Sequence, residues 1–229
     1  MRTLETRAGF DQKADTYDDF CHTPLGHYVD VIEHDRMAAA SRPTQGETAI
    51  DLGCGTGSYT YWLNDMGLSV VGVDLSHTML EVARRKGEQG VTFVQADLSC
   101  LPFADNTFDL AICNAVLEFT DDPASVLREG LRVVKPGGRL VVGCIHKHGA
   151  WGKKYAKRGQ ENPASIYRHA RFFSPEDIAK MGLHDPSEIR FGLYVGPDEF
   201  QDFHAAVHWE RQFEDAHHDA GYFVVRWEK

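Results

Sequence analysis

Three aspartates and three glycines stand where a nucleoside-binding site would need them: Asp51, then Gly53, Gly55 and Gly57, then Asp74, then Asp97. Glycine at alternate positions lets a backbone turn tightly and lets a ligand approach where a Cβ would collide. A helix opening just beyond the third glycine presents unpaired N–H donors. Asp74 follows Asp51 at about the 20-residue offset at which a carboxylate meets ribose hydroxyls in nucleoside-binding sheets, and Asp97 is placed to accept from an adenine amino group. The dinucleotide fingerprint needs a glycine where this chain has Ser58, and no Gly-Lys-Ser/Thr ending makes a phosphate cradle. A carboxylate at Asp51 repels phosphate and attracts a cation, so the ligand inferred is small and positively charged near the loop. An aspartate closing a strand also serves as a turn former or helix cap. Three at matching strand ends, one beside Gly-x-Gly-x-Gly, point instead to a shared ligand.

These residues must be held by strands alternating with helices. The pattern predicts strands over Thr48–Leu52, Leu68–Val73 (closed by Asp74), Val91–Gln95, Phe108–Cys113, Arg139–Ile145 and Tyr222–Trp227, with a further one over Glu188–Val195. Helices are predicted over Tyr59–Met66, His77–Lys86 with Ser76 as cap, Pro123–Val134, Pro175–Met181 with Ser174 as cap, and Pro197–His218. Lys135-Pro136-Gly137-Gly138 reads as a turn. Apolar strands separated by helices imply a parallel sheet covered on both faces. Ahead of it, Phe10 to Ala40 reads as two short helices whose apolar faces carry Tyr17, Phe20, Tyr28 and Val31, with Thr23-Pro24 capping a helix from Leu25. His146 to Ser174 reads as a polar insertion.

The whole chain of 229 residues suits one domain: an N-terminal helical cap (1–45), a cofactor-binding core (46–145), a lid or substrate insertion (146–186) and C-terminal strands and helix (187–229). No long apolar run or leader pattern is present, so a cytoplasmic protein without membrane contact is expected. Five scattered cysteines, never in a Cys-x-x-Cys pair, read as small buried residues in a reducing compartment. A formal net charge of −10 disfavours nucleic acid as a partner.

The motifs Ile50-Asp51-Leu52-Gly53-Cys54-Gly55-Thr56-Gly57, Val71-Gly72-Val73-Asp74-Leu75-Ser76, Ala96-Asp97-Leu98 with Leu101-Pro102-Phe103, and Leu131-Arg132-Val133-Val134-Lys135-Pro136-Gly137-Gly138 resemble, in order, those of class I S-adenosylmethionine-dependent methyltransferases of the type 11 group. The resemblance runs from about Thr48 to Ile145. It implies a Rossmann-like, doubly wound, mostly parallel seven-stranded sheet with helices on both faces, an N-terminal helical cap and an insertion after the fifth strand. It also implies S-adenosylmethionine as cofactor, with Asp51, Gly53, Cys54, Gly55 and Gly57 at its methionine portion and Asp74 at the ribose. Ala96, Asp97 and Leu98 would meet the adenine, Leu75 and Met79 would flank the ring, Asn114 and Ala115 would face the methionine end, and Tyr17 would close over it. Many relatives carry a histidine where this chain has Phe119, so no general base is carried over and the catalytic residue stays unassigned.

The family's reaction is an in-line displacement in which a nucleophile attacks the methyl carbon and a neutral thioether leaves, so orientation and exclusion of water matter most. The segment Asn114-Ala115-Val116-Leu117-Glu118-Phe119 lacks the Asp/Asn-Pro-Pro-aromatic pattern of enzymes that methylate base amino groups. A small-molecule acceptor is therefore expected, for a monomer or homodimer; the alternative is a non-catalytic module that binds the same cofactor. Tyr17, His22, His27, Tyr28, Trp151 and Tyr155 are candidates for the acceptor pocket, as core aromatics or as ligands. His146 and His148 follow the fifth strand closely enough to meet an acceptor, though a surface loop explains them too. His204 and His208 have metal-ligand spacing on a helix but lack the neighbouring glutamate of a metalloprotease, and no metal is expected. His217 and His218 read as a solvated helix end.

Overall fold

The computed structural model describes residues 2–87, 90–181, 184–213 and 219–229. Helix α1 (Arg2–Asp11), a 3-10 segment (Ala14–His22) and α2 (Pro24–Ser41) precede β1 (Thr48–Leu52), α3 (Ser58–Asp65), β2 (Ser69–Asp74), α4 (His77–Lys86) and β3 (Val91–Gln95). Then come β4 (Phe108–Asn114), a 3-10 turn (Leu117–Phe119), α5 (Pro123–Val133), β5 (Val134–Ile145), α6 (Ala150–Glu161) and a 3-10 turn (Ile166–His169). The order closes with α7 (Pro175–Ala179), β6 (Glu188–Gly192), α8 (Phe203–Glu210) and β7 (Tyr222–Glu228). The strands form one seven-stranded sheet in the order β3-β2-β1-β4-β5-β7-β6. All neighbours run parallel except β7, which is antiparallel to β5 and to β6.

Alternation along the strands sorts the core into two layers. Leu52, Ala111, Cys113, Leu140, Val142, Phe223 and Val225 pack on one face, with Val126 and Leu127 of α5. Ala49, Leu110, Ile112, Val141, Tyr222 and Val224 pack on the other, with Tyr28, Ile32 and Met37 of α2 and Leu63 of α3. Side chains buried on both faces explain why these strands read as nearly continuous apolar runs. Arg139 fastens α2 to the sheet: its guanidinium donates to both carboxylate oxygens of Glu47 at 2.8 Å and to the carbonyls of Ser41 and Arg42 at the helix end. The strand order reverses between β2-β1 and β1-β4, and at that switch the carboxyl ends of the strands open a crevice.

Several expected boundaries are corrected. The N-terminal stretch is not two short helices but a 3-10 segment followed by one 18-residue helix, α2, capped by the Thr23 hydroxyl accepting from Gly26 N–H at 3.0 Å. Tyr28 is fully buried, whereas Tyr17 and Phe20 are 44% and 42% exposed. The insertion after β5 contains a 12-residue helix, α6, where only a polar loop was expected. Its Gly152 and Gly159 sit against the carbonyls of His146 and Tyr167, where a Cβ would come within 2.2 and 2.4 Å. Glycines that lower helix propensity are thus used for close backbone packing. Lys135–Gly138 lies within β5 as an irregularity: Phe108 pairs with Val134, and Leu110 already pairs with Arg139. Strand β6 stops at Gly192 because Leu193 takes a left-handed conformation (φ 59°). Helix α8 covers only Phe203–Glu210, opened by the Asp202 carboxylate accepting from Ala205 N–H at 2.9 Å; His217 and His218 lie outside the described residues. No described helix is long and apolar enough to cross a membrane.

Candidate active site

At the switch point, the end of β1 turns through Gly53, whose N–H donates to Val73 O at 2.7 Å while Cys54 N–H donates to the same carbonyl at 3.0 Å. Gly53, Gly55 and Gly57 all have positive φ (79°, 53° and 87°), a region in which a side chain is strained. At Gly53 a Cβ would also meet both γ-methyls of Val116 at 2.5 and 2.6 Å, whereas at Gly55 it would meet no protein atom within 4 Å. Gly55 therefore presents its backbone to open space.

The carboxylate of Asp74 ties this loop to the next helix. Oδ2 accepts from Gly55 N–H at 2.9 Å and Oδ1 from Ser76 N–H at 2.8 Å, while Ser76 Oγ accepts from Met79 N–H at 3.1 Å and so caps α4. Burial, opposed by those N–H groups, leaves the Asp74 carboxyl above its ordinary range. Both hydrogen bonds recorded for Asp97 fall on Oδ1, from Ser99 N–H and Oγ–H.

These residues wall a cavity of about 230 Å³. Of the sequence-derived set, Tyr17, Gly53, Gly55, Asp74 and Leu75 line it, as do Met79, Asp97, Leu98, Asn114 and Ala115. Asp51, Cys54, Gly57 and Ala96 do not. Asp51 is only 2% exposed; it accepts the Thr60 hydroxyl at 2.7 Å, and burial pushes its carboxyl up to about 7. Cys54 points back towards β2, where a Cβ on Gly72 would meet its Sγ at 2.9 Å. Gly57 forms the N-cap of α3. Ala96 packs on the core below.

Phe119, expected at the place where relatives carry a histidine, is on the cavity wall, and so are Phe10 and Arg7 of the cap, which the sequence did not single out. Phe10 meets Phe119 edge-on at 5.0 Å and Tyr17 at 6.0 Å, so the cap reaches across the crevice. Polar contacts seat it there. Asp11 accepts from Ser76 Oγ–H, Asp18 accepts from Thr56 Oγ1–H at 2.6 Å and pairs with Lys86 at 2.6 Å, and Arg85 pairs with Asp15 at 2.5 Å. Asn114 closes the inner end. Its Oδ1 accepts from Tyr222 Oη–H at 2.6 Å and its Nδ2 donates to Glu33 at 2.9 Å. Gly143 leaves the room for this, since a Cβ there would fall 2.0 Å from Tyr222 Oη and 2.1 Å from Asn114 Oδ1.

The other candidates lie off the cavity wall: Tyr155 stacks on Tyr167, His148 meets His146 edge-on, His204 meets Phe203, and His22 is exposed. Tyr28 donates to buried Glu210, and Trp151 Nε1 donates to Val195 O at 3.0 Å. His146 is buried with Nδ1 at 2.9 Å from Ala220 O, and burial lowers its pKa. His27 stacks on Phe203, and His208 contacts Gln212. Among the described residues no group of three or more His, Cys, Asp or Glu is arranged to hold a metal ion.

A sheet with this strand order and a glycine loop facing two strand-end aspartates defines the class I methyltransferase architecture. Residues 50–142 match the family model described as a methyltransferase domain. This segment, 93 of the 229 residues, carries the type 11 methyltransferase domain that the sequence motifs resemble. It is 39% identical over 140 residues to a demethylmenaquinone methyltransferase of Clavibacter sepedonicus, a match covering 60% of this chain and 57% of that protein. It is 29% identical over 172 residues to an uncharacterised protein of Methanocaldococcus jannaschii, covering 75% and 77%. In structure it is similar to an S-adenosylmethionine-dependent methyltransferase of Thermotoga maritima, described as a possible histamine N-methyltransferase, with TM-score 0.77, 24% identity and coverage of 96% and 98%. The matches to curated demethylmenaquinone methyltransferases span between 38% and 57% of those proteins' length.

Proposed function

We propose that this protein transfers the methyl group of S-adenosylmethionine to a small-molecule acceptor, and that the cavity at the switch point holds the cofactor. The observation that carries the reading is Asp74. Its oxygens accept the N–H groups of Gly55 and Ser76, and the Leu75 N–H also favours its charged form, so the carboxylate is fixed in place with acceptor capacity left for hydroxyl donors. Its fit to a ribose diol is a matter of donor chemistry. Asp97, with both recorded bonds on Oδ1, keeps Oδ2 for an amino group, and Leu98, Leu75 and Met79 supply apolar walls for a flat ring. The loop Gly53–Gly57 and Asn114-Ala115 would hold the methionine portion, with Tyr17 above it. Asp51 acts from behind the loop through Thr60, and Cys54, Gly57 and Ala96 shape the loop and its support.

When bound, the cofactor supplies a methyl group already activated by its sulfonium. The chain's own contribution is to orient the donor and acceptor and to exclude water, through the aromatic cap of Phe10, Tyr17 and Phe119. The cavity wall carries four aspartates (Asp74, Asp97, Asp121, Asp122) against one arginine, Arg7, a balance that favours a cationic donor. Five free cysteines fit a cytoplasmic protein, although only Cys54, Cys113 and Cys144 are buried as expected and Cys21 and Cys100 are exposed, and the net charge of −10 fits a monomer or homodimer that does not act on nucleic acid. The test is formation of S-adenosylhomocysteine, followed by mass spectrometry, from S-adenosylmethionine and a panel of small acceptors. Turnover that Asp74→Ala abolishes supports the reading; cofactor binding without turnover on any acceptor would reduce the protein to a binding module.

A further inference from the structure

Beyond the cavity wall, Asn114 leads to a carboxylate that the cofactor does not need. Asn114 lines the cavity, and its Nδ2 donates to Glu33 Oε2 at 2.9 Å. The Tyr222 hydroxyl donates to Asn114 Oδ1 at 2.6 Å, which fixes the amide with its NH₂ towards Glu33. Glu33 is half-buried on α2, and its charge acts on five tyrosines from five different segments: Tyr17, Tyr59, Tyr155, Tyr167 and Tyr222. Tyr155 of α6 and Tyr167 stack at 4.2 Å and 16°, and Tyr167 meets Phe119 of the cavity wall at 6.0 Å. Tyr59 lies flat on His34 at 4.2 Å, and its buried hydroxyl has no hydrogen-bond partner among the described residues. Tyr17 keeps 44% of its surface accessible, although burial is the main cause raising its hydroxyl. Tyr17 also lines the cavity, so the cluster reaches the cavity wall through Tyr17 and Asn114.

Resting on the methyl-transfer reading, we propose that the acceptor is a small organic amine, whose ammonium group Glu33 draws into this tyrosine cage at the methyl-donor end of the cavity and whose departing proton Glu33 receives. Tyrosine faces attract an ammonium ion by their quadrupole, and a half-buried carboxylate does so by charge. The groups that act on Glu33 or feel its charge are Asp30 and His34 on its own helix, Cys21 of the 3-10 segment before it, Asn114 on β4, the buried Glu118 of the turn after β4, and the five tyrosines. Burial, opposed by the Asn114 hydrogen bond and by His34 and reinforced by Asp30, pushes the Glu33 carboxyl up to about 7. It can thus both take up and release a proton near neutrality. In the step, the ammonium gives one N–H proton to Glu33 and the freed nitrogen lone pair attacks the methyl carbon. The N–C bond forms as the C–S bond breaks, and the C–S electron pair stays on sulfur as neutral S-adenosylhomocysteine. The product leaves as a methylated ammonium ion, and Glu33 returns its proton to solvent.

The test compares 2-phenylethylammonium with its neutral isostere 2-phenylethanol by calorimetry on the full chain saturated with S-adenosylhomocysteine. The ammonium is expected to bind at least about tenfold more tightly, with that preference lost in Glu33→Gln while S-adenosylhomocysteine affinity changes by less than threefold. With S-adenosylmethionine present, the amine and not the alcohol should yield S-adenosylhomocysteine. Equal binding of the two probes, or an ammonium preference unchanged in Glu33→Gln, overturns the proposal without any variant needing to fold in the first case. Methylation of a reduced naphthoquinone but not of the amine would also overturn it while leaving the methyl-transfer reading intact. Failure of the wild-type chain to bind S-adenosylhomocysteine would remove both.

Discussion

Replacing Asp74 by asparagine separates a ribose-binding carboxylate from a purely structural one. In the folded chain Oδ1 and Oδ2 accept from Ser76 and Gly55 at 2.8 and 2.9 Å. Asparagine has one carbonyl oxygen, so it keeps one of these bonds and turns an NH₂ group towards the other N–H donor. It also loses the charge that strengthens hydrogen bonds from the two ribose hydroxyls. Hydrogen bonds to a charged group contribute about 1.5–3 kcal/mol each; losing two corresponds to about 3 kcal/mol or more. At about 1.4 kcal/mol per tenfold, S-adenosylhomocysteine should bind at least about a hundredfold more weakly by titration calorimetry. Circular dichroism and the melting temperature report whether the fold survives. A folded Asp74→Asn protein that binds S-adenosylhomocysteine within threefold of wild type would refute the reasoning.

Three further outcomes follow from the geometry. Gly53→Ala puts a Cβ within 2.5–2.6 Å of the Val116 methyls at φ 79°, so urea denaturation should show a loss of about 1–3 kcal/mol together with weakened S-adenosylhomocysteine binding. Arg139→Met leaves Glu47 and the end of α2 without their partner and should cost about 3 kcal/mol or more by the same assay. Stability should also fall as pH rises from about 5.5 to 8.5, read as the melting temperature of the ligand-free protein. Burial pushes Asp51 and Glu33 up to about 7 and Glu118 up to about 8, so the folded chain holds these protons more tightly than the unfolded one. Their contribution is complete below the ordinary carboxylate range and is lost as pH climbs through 7 and 8. Asp109 acts at the other end: against the pull of burial, Lys135 and Thr48 hold it down to about 2, so its contribution disappears only in acid. A melting temperature flat between pH 5.5 and 8.5, or one unaltered in its slope by Glu118→Gln, would contradict this assignment.

The parts of the site legible in the sequence are those where chemistry and chain order coincide. Gly53, Gly55, Asp74, Leu75, Asp97 and Leu98 sit in contiguous strand-end motifs, and a parallel sheet brings such ends together by construction. Caps were legible for the same local reason: Ser76 caps α4, and Ser174 forms a capping box with Asp177 on α7. Asp51 was harder, because a carboxylate two residues before a loop looks the same whether it faces a ligand or, as here, a buried threonine hydroxyl. Helix α6 was hidden by its glycines, whose purpose appears only when the carbonyls of His146 and Tyr167 are seen beneath them. Glu33 was invisible. It sits among charged residues on α2, and only the fold carries it across 81 positions to Asn114; the one local signal, Gly143 beneath the Tyr222 hydroxyl, has meaning only with the β5–β7 register known, in which Gly143 pairs with Val224 and Tyr222 with Ile145.

A crystal structure of the protein with S-adenosylhomocysteine tests the central claim most directly. Ribose hydroxyls are expected on the Asp74 carboxylate, the adenine amino group at Asp97 between Leu75, Met79 and Leu98, and the thioether beside Asn114 with Tyr17 above it. Density for the ligand elsewhere, such as in the separate cavity lined by Tyr194, Trp209 and Phe213, would contradict it.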